Sequence, residues 1–170
     1  CSDVTKVSGK DILKNIRKNG YKEIDVVVGG PPCQGFSHIG KRQLDDDRNR
    51  LVFEYLRLVK EIKPKYFIFE NVPGIGSGKH KAFLDELIEA FESAGYTIEK
   101  PVKVLDASHY GVAQKRRRLI IIGSRNNEPV AKYPDPTHLP IDKISPVLFD
   151  EFQPSLGASD VISNLSNIEM

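Results

Sequence analysis

With 170 residues, 39% of them hydrophobic, the chain is long enough to bury the core of one domain. Its 25 basic and 23 acidic residues leave a net charge of +2, which neither demands nor excludes a nucleic-acid partner. No apolar run approaches the roughly 18 residues of a membrane helix, the amino-terminal stretch lacks the apolar core of a secretion signal, and two cysteines make no disulfide framework, which points to a reducing cytosolic setting.

Ile12, Leu13 and Ile16 fall on one face of a helix that Gly20 ends. Ile24 to Val28 reads as a short buried strand stopped by Gly29, Gly30, Pro31 and Pro32. Gly35 to Arg50 is polar and aperiodic and reads as a loop. Leu51, Tyr55, Leu58, Val59 and Ile62 mark a helix closed by Pro64, and Tyr66 to Phe69 a second buried strand with Glu70 at its carboxyl end. Phe83, Leu84, Leu87, Ile88 and Phe91 mark a third helix, capped by Gly95. Ile98 to Leu105 is strand-like with an interruption at Pro101, and Leu119 to Ile122 is a strongly apolar strand. After Gly123 no core element is evident before a weak helix signal at Asp160 to Leu165. Strands alternating with helices imply an α/β fold with a mostly parallel sheet covered on both faces. Chemistry in such sheets gathers beyond the carboxyl ends of the strands, where Cys33 and Glu70 both fall.

Three segments carry reactive groups. In Gly29-Gly30-Pro31-Pro32-Cys33-Gln34-Gly35-Phe36-Ser37, glycines and prolines stiffen the turn, so that Cys33 is held outward rather than packed inward, as a nucleophilic thiolate requires. In Glu70-Asn71-Val72-Pro73, a carboxyl beside an apolar run is partly desolvated and suited to proton chemistry. In Gln114-Lys115-Arg116-Arg117-Arg118, alternation places Gln114, Arg116 and Arg118 on one side, where they could meet a phosphate, a carboxylate or a base edge; a solvated basic stretch is the bland alternative. Other chemistries fit less well. Gly74 to Lys79 resembles a phosphate loop, but Pro73 and His80 stand where glycine and Ser/Thr are needed, so it reads as a flexible connection. Phe36 replaces the second cysteine of a zinc deaminase, no metal-ligand spacing occurs, and neither His38 nor His109 is marked as the base of a cysteine hydrolase.

Together these segments resemble the C5-cytosine DNA methyltransferase family: Pro31 to Ser37 its nucleophile motif, Glu70-Asn71-Val72 its Glu-Asn-Val motif, and Gln114 to Arg118 its Gln-x-Arg-x-Arg motif. Asp3-Val4-Thr5 looks like the family's segment that meets the adenine of S-adenosylmethionine, and Arg48 to Tyr55 and Tyr110-Gly111-Val112 also look like family sequence. The resemblance implies an S-adenosylmethionine-dependent, Rossmann-like methyltransferase fold, S-adenosyl-L-methionine as cofactor and duplex DNA with a flipped cytosine as substrate. It implies Cys33, Glu70, Arg116 and Arg118 as catalytic residues. Asp3, Pro32, Leu51 and Asn71 would line the cofactor pocket, and Gln34, Ser37, Lys41, Arg48 and Gln114 would contact DNA. A bacterial, nucleoid-associated setting and a cognate restriction endonuclease follow from family habit. An RNA (tRNA) cytosine-5 methyltransferase and a non-catalytic DNA-binding fragment of the same fold are the alternatives. The family's Phe-x-Gly-x-Gly cofactor loop, its target-recognition region and its closing helix motifs are not found. The chain begins at Cys1 and its one methionine is Met170, so it reads as a fragment. Residues 1–125 are then the catalytic core and 126–170 an extended connection toward the target-recognition region.

Overall fold

The computed structural model describes residues 3–32, 50–140, 152–158 and 160. They fall in two compact units, residues 1–103 with 119–133 and residues 104–118 with 134–170. Among the described residues no helix is long and apolar enough to cross a membrane.

In the first unit, Asp3 caps a single 3-10 turn at Val4–Lys6, and Ser8 caps helix α1, Gly9–Lys18. Gly20 follows α1 at φ +86, a conformation that glycine adopts without steric cost. Strand β1 is Val26–Gly29, helix α2 is Arg50–Ile62, and strand β2 is Tyr66–Asn71, so Glu70 and Asn71 lie within the strand rather than after it. Pro73–Gly76 and Gly78–His80 form 3-10 turns before helix α3, Lys81–Ser93. This stretch was expected to be a flexible connection; instead Ile75 is fully buried and anchors it. Strand β3 is Tyr96–Ile98, and β5 is Arg117–Arg125, longer than its apolar centre suggested.

The sheet order is β1-β2-β5-β3. β1 and β2 run parallel, with Val26 opposite Tyr66 and Gly29 opposite Phe69. β5 lies between β2 and β3 and is antiparallel to both. The architecture is therefore α/β as expected, but the sheet is mixed rather than mostly parallel. A buried strand reads as the same apolar run whichever way its neighbour points, so direction was not legible locally.

The core lies where α2 and α3 cover one face of the sheet. Val52, Tyr55, Leu56 and Val59 of α2 and Phe83, Leu84, Leu87 and Phe91 of α3 meet Phe67, Phe69, Leu119 and Ile121. Phe67 stacks on Phe91 at 4.2 Å between ring centres and meets Tyr96 edge-on at 5.1 Å. Each fully buried phenylalanine stabilises the fold by about 1.5–3 kcal/mol. β1 departs from the buried strand expected: Val26 is 46% and Val28 68% exposed. Among the described strands only β2 flanks it, and its outer side borders a groove.

Strand β4, Lys103–Asp106, begins on the last residue before the second unit, pairs with β5, and leads within the second unit into a 3-10 turn at Ala107–Tyr110. A two-residue parallel pairing joins β6, His138–Leu139, to β7, Gln153–Pro154. The helix signal at Asp160 to Leu165 lies, beyond Asp160, outside the described residues.

Candidate active site

Parallel pairing of β1 with β2 determines what meets at their carboxyl ends. Because Gly29 stands opposite Phe69, the next residues in line are Gly30 and Glu70. A Cβ placed on Gly30 would lie 2.6 Å from Glu70 Oε2, so the carboxylate rests directly against the glycine backbone. Side chains alternate along β2: Phe67, Phe69 and Asn71 are buried, while Glu70 is half-buried on the other face. Asn71 reaches the turn from its own side. Its Nδ2 donates to Pro31 O at 3.0 Å, and its Oδ1 accepts from Val72 N at 2.9 Å. At 4% exposure, Asn71 is a buried amide spent on holding the turn, not a wall of the adjoining groove.

Tyr55 supports the same turn from below. Its ring fills the space where a Cβ of Gly29 would stand, and its hydroxyl lies 3.2 Å from Val27 O and 2.9 Å from Ile68 O. Desolvation raises the Tyr55 pKa well above the usual phenol value, with repulsion from Tyr96 adding to the effect, so the hydroxyl stays a donor. Two glycines, two prolines, Asn71 and Tyr55 thus determine the backbone up to Pro32. Cys33, Gln34, Ser37, Lys41 and Arg48 lie outside the described residues.

A groove of about 510 Å³ runs along the outer side of β1. Pro31 and Pro32 close its upper end, Leu51 and Leu58 of α2 line one side, and Val4 lines another. Its lining is almost wholly apolar, and its size falls in the range of roughly 300–1,000 Å³ typical of small-molecule sites. Asp3, next to Val4, is exposed; its Oδ1 accepts from Thr5 N at 3.0 Å and from Thr5 Oγ1 at 2.8 Å. Those bonds, the backbone one first, lower its pKa and keep it an anion. Pro32 and Leu51 were expected at a cofactor pocket and both line this groove; Asp3 precedes its lining residue Val4 in the chain but is not itself part of the lining.

In the second unit the arginine segment has a support that the sequence reading missed. Asp106 Oδ1 accepts from Ser108 N at 3.1 Å, Ser108 Oγ at 2.9 Å and Arg116 N at 3.1 Å, while Ala107 N donates to Arg116 O at 3.0 Å. Burial works to raise the Asp106 pKa, but the bonds from Ser108 and Arg116 outweigh it and the net shift is downward. Gln114 and Arg116 are exposed and precede the strand; Arg118 is half-buried, with Nη1 donating to Arg117 O at 2.8 Å. The alternation expected from Gln114 onward therefore begins only at Arg117. An Asp two residues before a Ser, as in Asp106-Ala107-Ser108, is a turn-capping pattern and could have flagged this support.

Comparison with known proteins places the chain in a family. The C-5 cytosine-specific DNA methylase family model matches residues 1–167. The type II methyltransferase M.XorII of Xanthomonas oryzae pv. oryzae is 55% identical over 137 residues, 81% of this chain and 32% of that protein. The type II methyltransferase M.AquIA of Picosynechococcus sp. is 39% identical over 172 residues, covering 96% of this chain and 68% of that protein. Among solved structures, a candidate DNA modification methyltransferase encoded within an E. coli prophage matches with a TM-score of 0.58 and 34% identity, over 80% of this chain and 38% of that one. The S. pombe Dnmt2 methyltransferase, at 18% identity and a TM-score of 0.53, shares the fold. The chain spans about a third to two-fifths of the length of most of the curated relatives it matches. The chain belongs to the C-5 cytosine-specific DNA methylase family.

Proposed function

We propose that this chain is the catalytic part of an enzyme that methylates carbon 5 of cytosine in duplex DNA. The observation that carries the reading is the seating of Glu70 against Gly30, three residues before Cys33, with Asn71 tying the same turn to β2. Cys33 thiolate adds to carbon 6 of the cytosine, which breaks the aromaticity of the ring and makes carbon 5 nucleophilic. Glu70 contacts N3 and the amino group and stabilises the charge that develops on the ring. Arg116 and Arg118 hold the base oxygen or a nearby phosphate. After methylation, loss of the carbon 5 proton and expulsion of the Cys33 thiolate restore the ring and the enzyme. A stacked base is out of reach of these groups, so the cytosine swings out of the duplex at a cost of roughly a few kcal/mol.

The described residues suit the flat, apolar adenine end of S-adenosyl-L-methionine: an apolar groove lined by Pro31, Pro32, Leu51 and Val4, with the Asp3 anion next to Val4 in the chain. When bound, the cofactor supplies an electrophilic methyl group. Asp3 would accept a hydrogen bond from the adenine, and Pro32 and Leu51 would pack against it. Asn71 acts through Pro31. Gln34, Ser37, Lys41, Arg48 and Gln114 contact the DNA, residues 1–125 form the catalytic core, and residues 126–170 lead toward a target-recognition region. Because relatives are type II methyltransferases, a cognate restriction endonuclease belongs to the same reading.

Duplex DNA carrying 5-fluorocytosine tests the route in the full-length enzyme. Fluorine cannot leave as the proton does, so a covalent protein–DNA adduct is expected with the native residue and none with Cys33→Ser. Turnover by the serine variant at the native rate overturns the covalent route, and methylation of tRNA in preference to DNA overturns the substrate.

A further inference from the structure

Arg57 lies at the middle of α2, and its guanidinium is spent entirely on protein groups. Nε donates to Glu54 Oε2 at 2.8 Å, and Nη1 to Glu61 Oε1 at 2.8 Å. Nη2 reaches two backbone carbonyls, Val4 O at 3.3 Å and Val7 O at 2.9 Å, which bracket the 3-10 turn that Asp3 caps. The other carboxylate oxygen of Glu61 accepts from Gly9 N at 2.7 Å, at the start of α1. Gly9 is buried, and a Cβ there would fall 2.6 Å from Glu61 Cβ, so α1 approaches α2 closely at this point. One fork on α2 therefore secures both sides of the turn, and through Glu61 the helix that follows.

What the fork secures has one wall in the groove: Val4 is part of its lining. Asp3 Oδ1 is taken by Thr5, while Oδ2 has no protein hydrogen bond among the described residues. A planar guanidinium can engage two carboxylates and two carbonyls in fixed directions; a lysine ammonium cannot span the same set.

We propose that Arg57, steadied by Glu54 and Glu61, is a positioning residue for cofactor binding: it holds the Val4–Val7 carbonyls so that Asp3 is presented at the groove. This rests on the reading of that groove as the cofactor site. Arg57 touches no reacting group, so its effect belongs to cofactor affinity and not to the chemical step.

The test compares Arg57→Met, Arg57→Lys, Asp3→Ala and the double variant Asp3→Ala/Arg57→Met in the full-length enzyme. Cofactor affinity is measured by equilibrium titration, and kcat and the KM for DNA at saturating cofactor. For Arg57→Met a weakening of cofactor binding by about tenfold or more is expected, the scale of losing hydrogen bonds from a charged donor. kcat and the DNA KM stay within about twofold, since neither the nucleophile nor the base contacts are touched. Arg57→Lys falls between. The double variant binds no worse than Asp3→Ala alone, because two residues acting through one contact are not additive. A lower kcat with unchanged cofactor affinity, or losses that add in the double variant, overturns the proposal; Arg57→Lys supplies the answer if the methionine variant does not fold. Unchanged affinity in Asp3→Ala overturns the groove reading itself, whereas weakening by Asp3→Ala without weakening by Arg57→Met overturns only the role of Arg57.

Discussion

The two ends of the β1–β2 pair are built on opposite plans. At the amino end, charges of opposite sign close on one another. Lys65 Nζ meets Asp25 at 2.7 Å and Glu23 at 3.2 Å, while Arg125 Nη2 meets Glu128 at 2.9 Å and Glu23 at 3.2 Å. At the carboxyl end a carboxylate lies against a glycine, and a buried amide ties a proline carbonyl in place. The first end tolerates change because its partners are flexible and partly solvated. The second depends on the absence of a side chain at Gly30 and on the direction of one amide, so small changes there move the groups proposed to react.

The steepest break in this comparison is expected from Glu70→Gln in the full-length enzyme. Methylation falls by about 10²–10³-fold, the scale of removing one preorganised contact from developing charge, with the melting temperature nearly unchanged. Gly30→Ala comes next. Its methyl group would displace the Glu70 carboxylate, and a loss of about 10²-fold in kcat is expected from a displacement near 1 Å; native kcat would show that the glycine contact is not what places Glu70. Asn71→Ala sharpens the same end from the stability side. It removes the bond to Pro31 from a buried site, at a cost of about 1–3 kcal/mol by chemical denaturation, and Tyr55→Phe costs about 1 kcal/mol where the hydroxyl meets Val27 O and Ile68 O.

At the other end, Glu23→Gln should leave kcat and cofactor affinity unchanged and show itself only in acid. Hydrogen bonds from Lys65 and then Arg125 hold the Glu23 carboxyl below its ordinary value of 4.5. A depressed folded value means that its contribution is present above pH 4.5 and is lost as pH falls through the folded value. Melting temperature against pH should therefore be flatter below pH 4.5 in the variant than in the parent; parallel curves there would show that the pair contributes nothing.

Sequence patterning reached the helices and the strand ends because it reads local periods. α2 follows from Leu51, Tyr55, Leu58, Val59 and Ile62, and Glu70 at the end of an apolar run was found without knowing what it would touch. The exposure of Val26 and Val28 was not legible, since three consecutive valines look the same whatever covers the face to which the first and third point. Ile75 was hidden among glycines that suggested mobility, although one fully buried side chain is enough to anchor a turn. Glu54, Arg57 and Glu61 have the spacing of a solvated helix face, and only the folded structure shows that the guanidinium also reaches Val4 and Val7. Asp106 was missed for a related reason: its partner Arg116 lies ten residues away, past a turn that no period encodes.

Gly123 sits in the interior of β5 directly across from Phe67, whose ring occupies the space a larger residue would need. The two positions divide a single volume between two strands. Evolution can move that volume from one side to the other but cannot enlarge both, so among homologous sequences a bulkier residue at 123 should arrive with a slimmer one at 67. The trade would also dismantle the stacked rings of Phe67 and Phe91, which makes it a two-step change whose first step is unfavourable in either order.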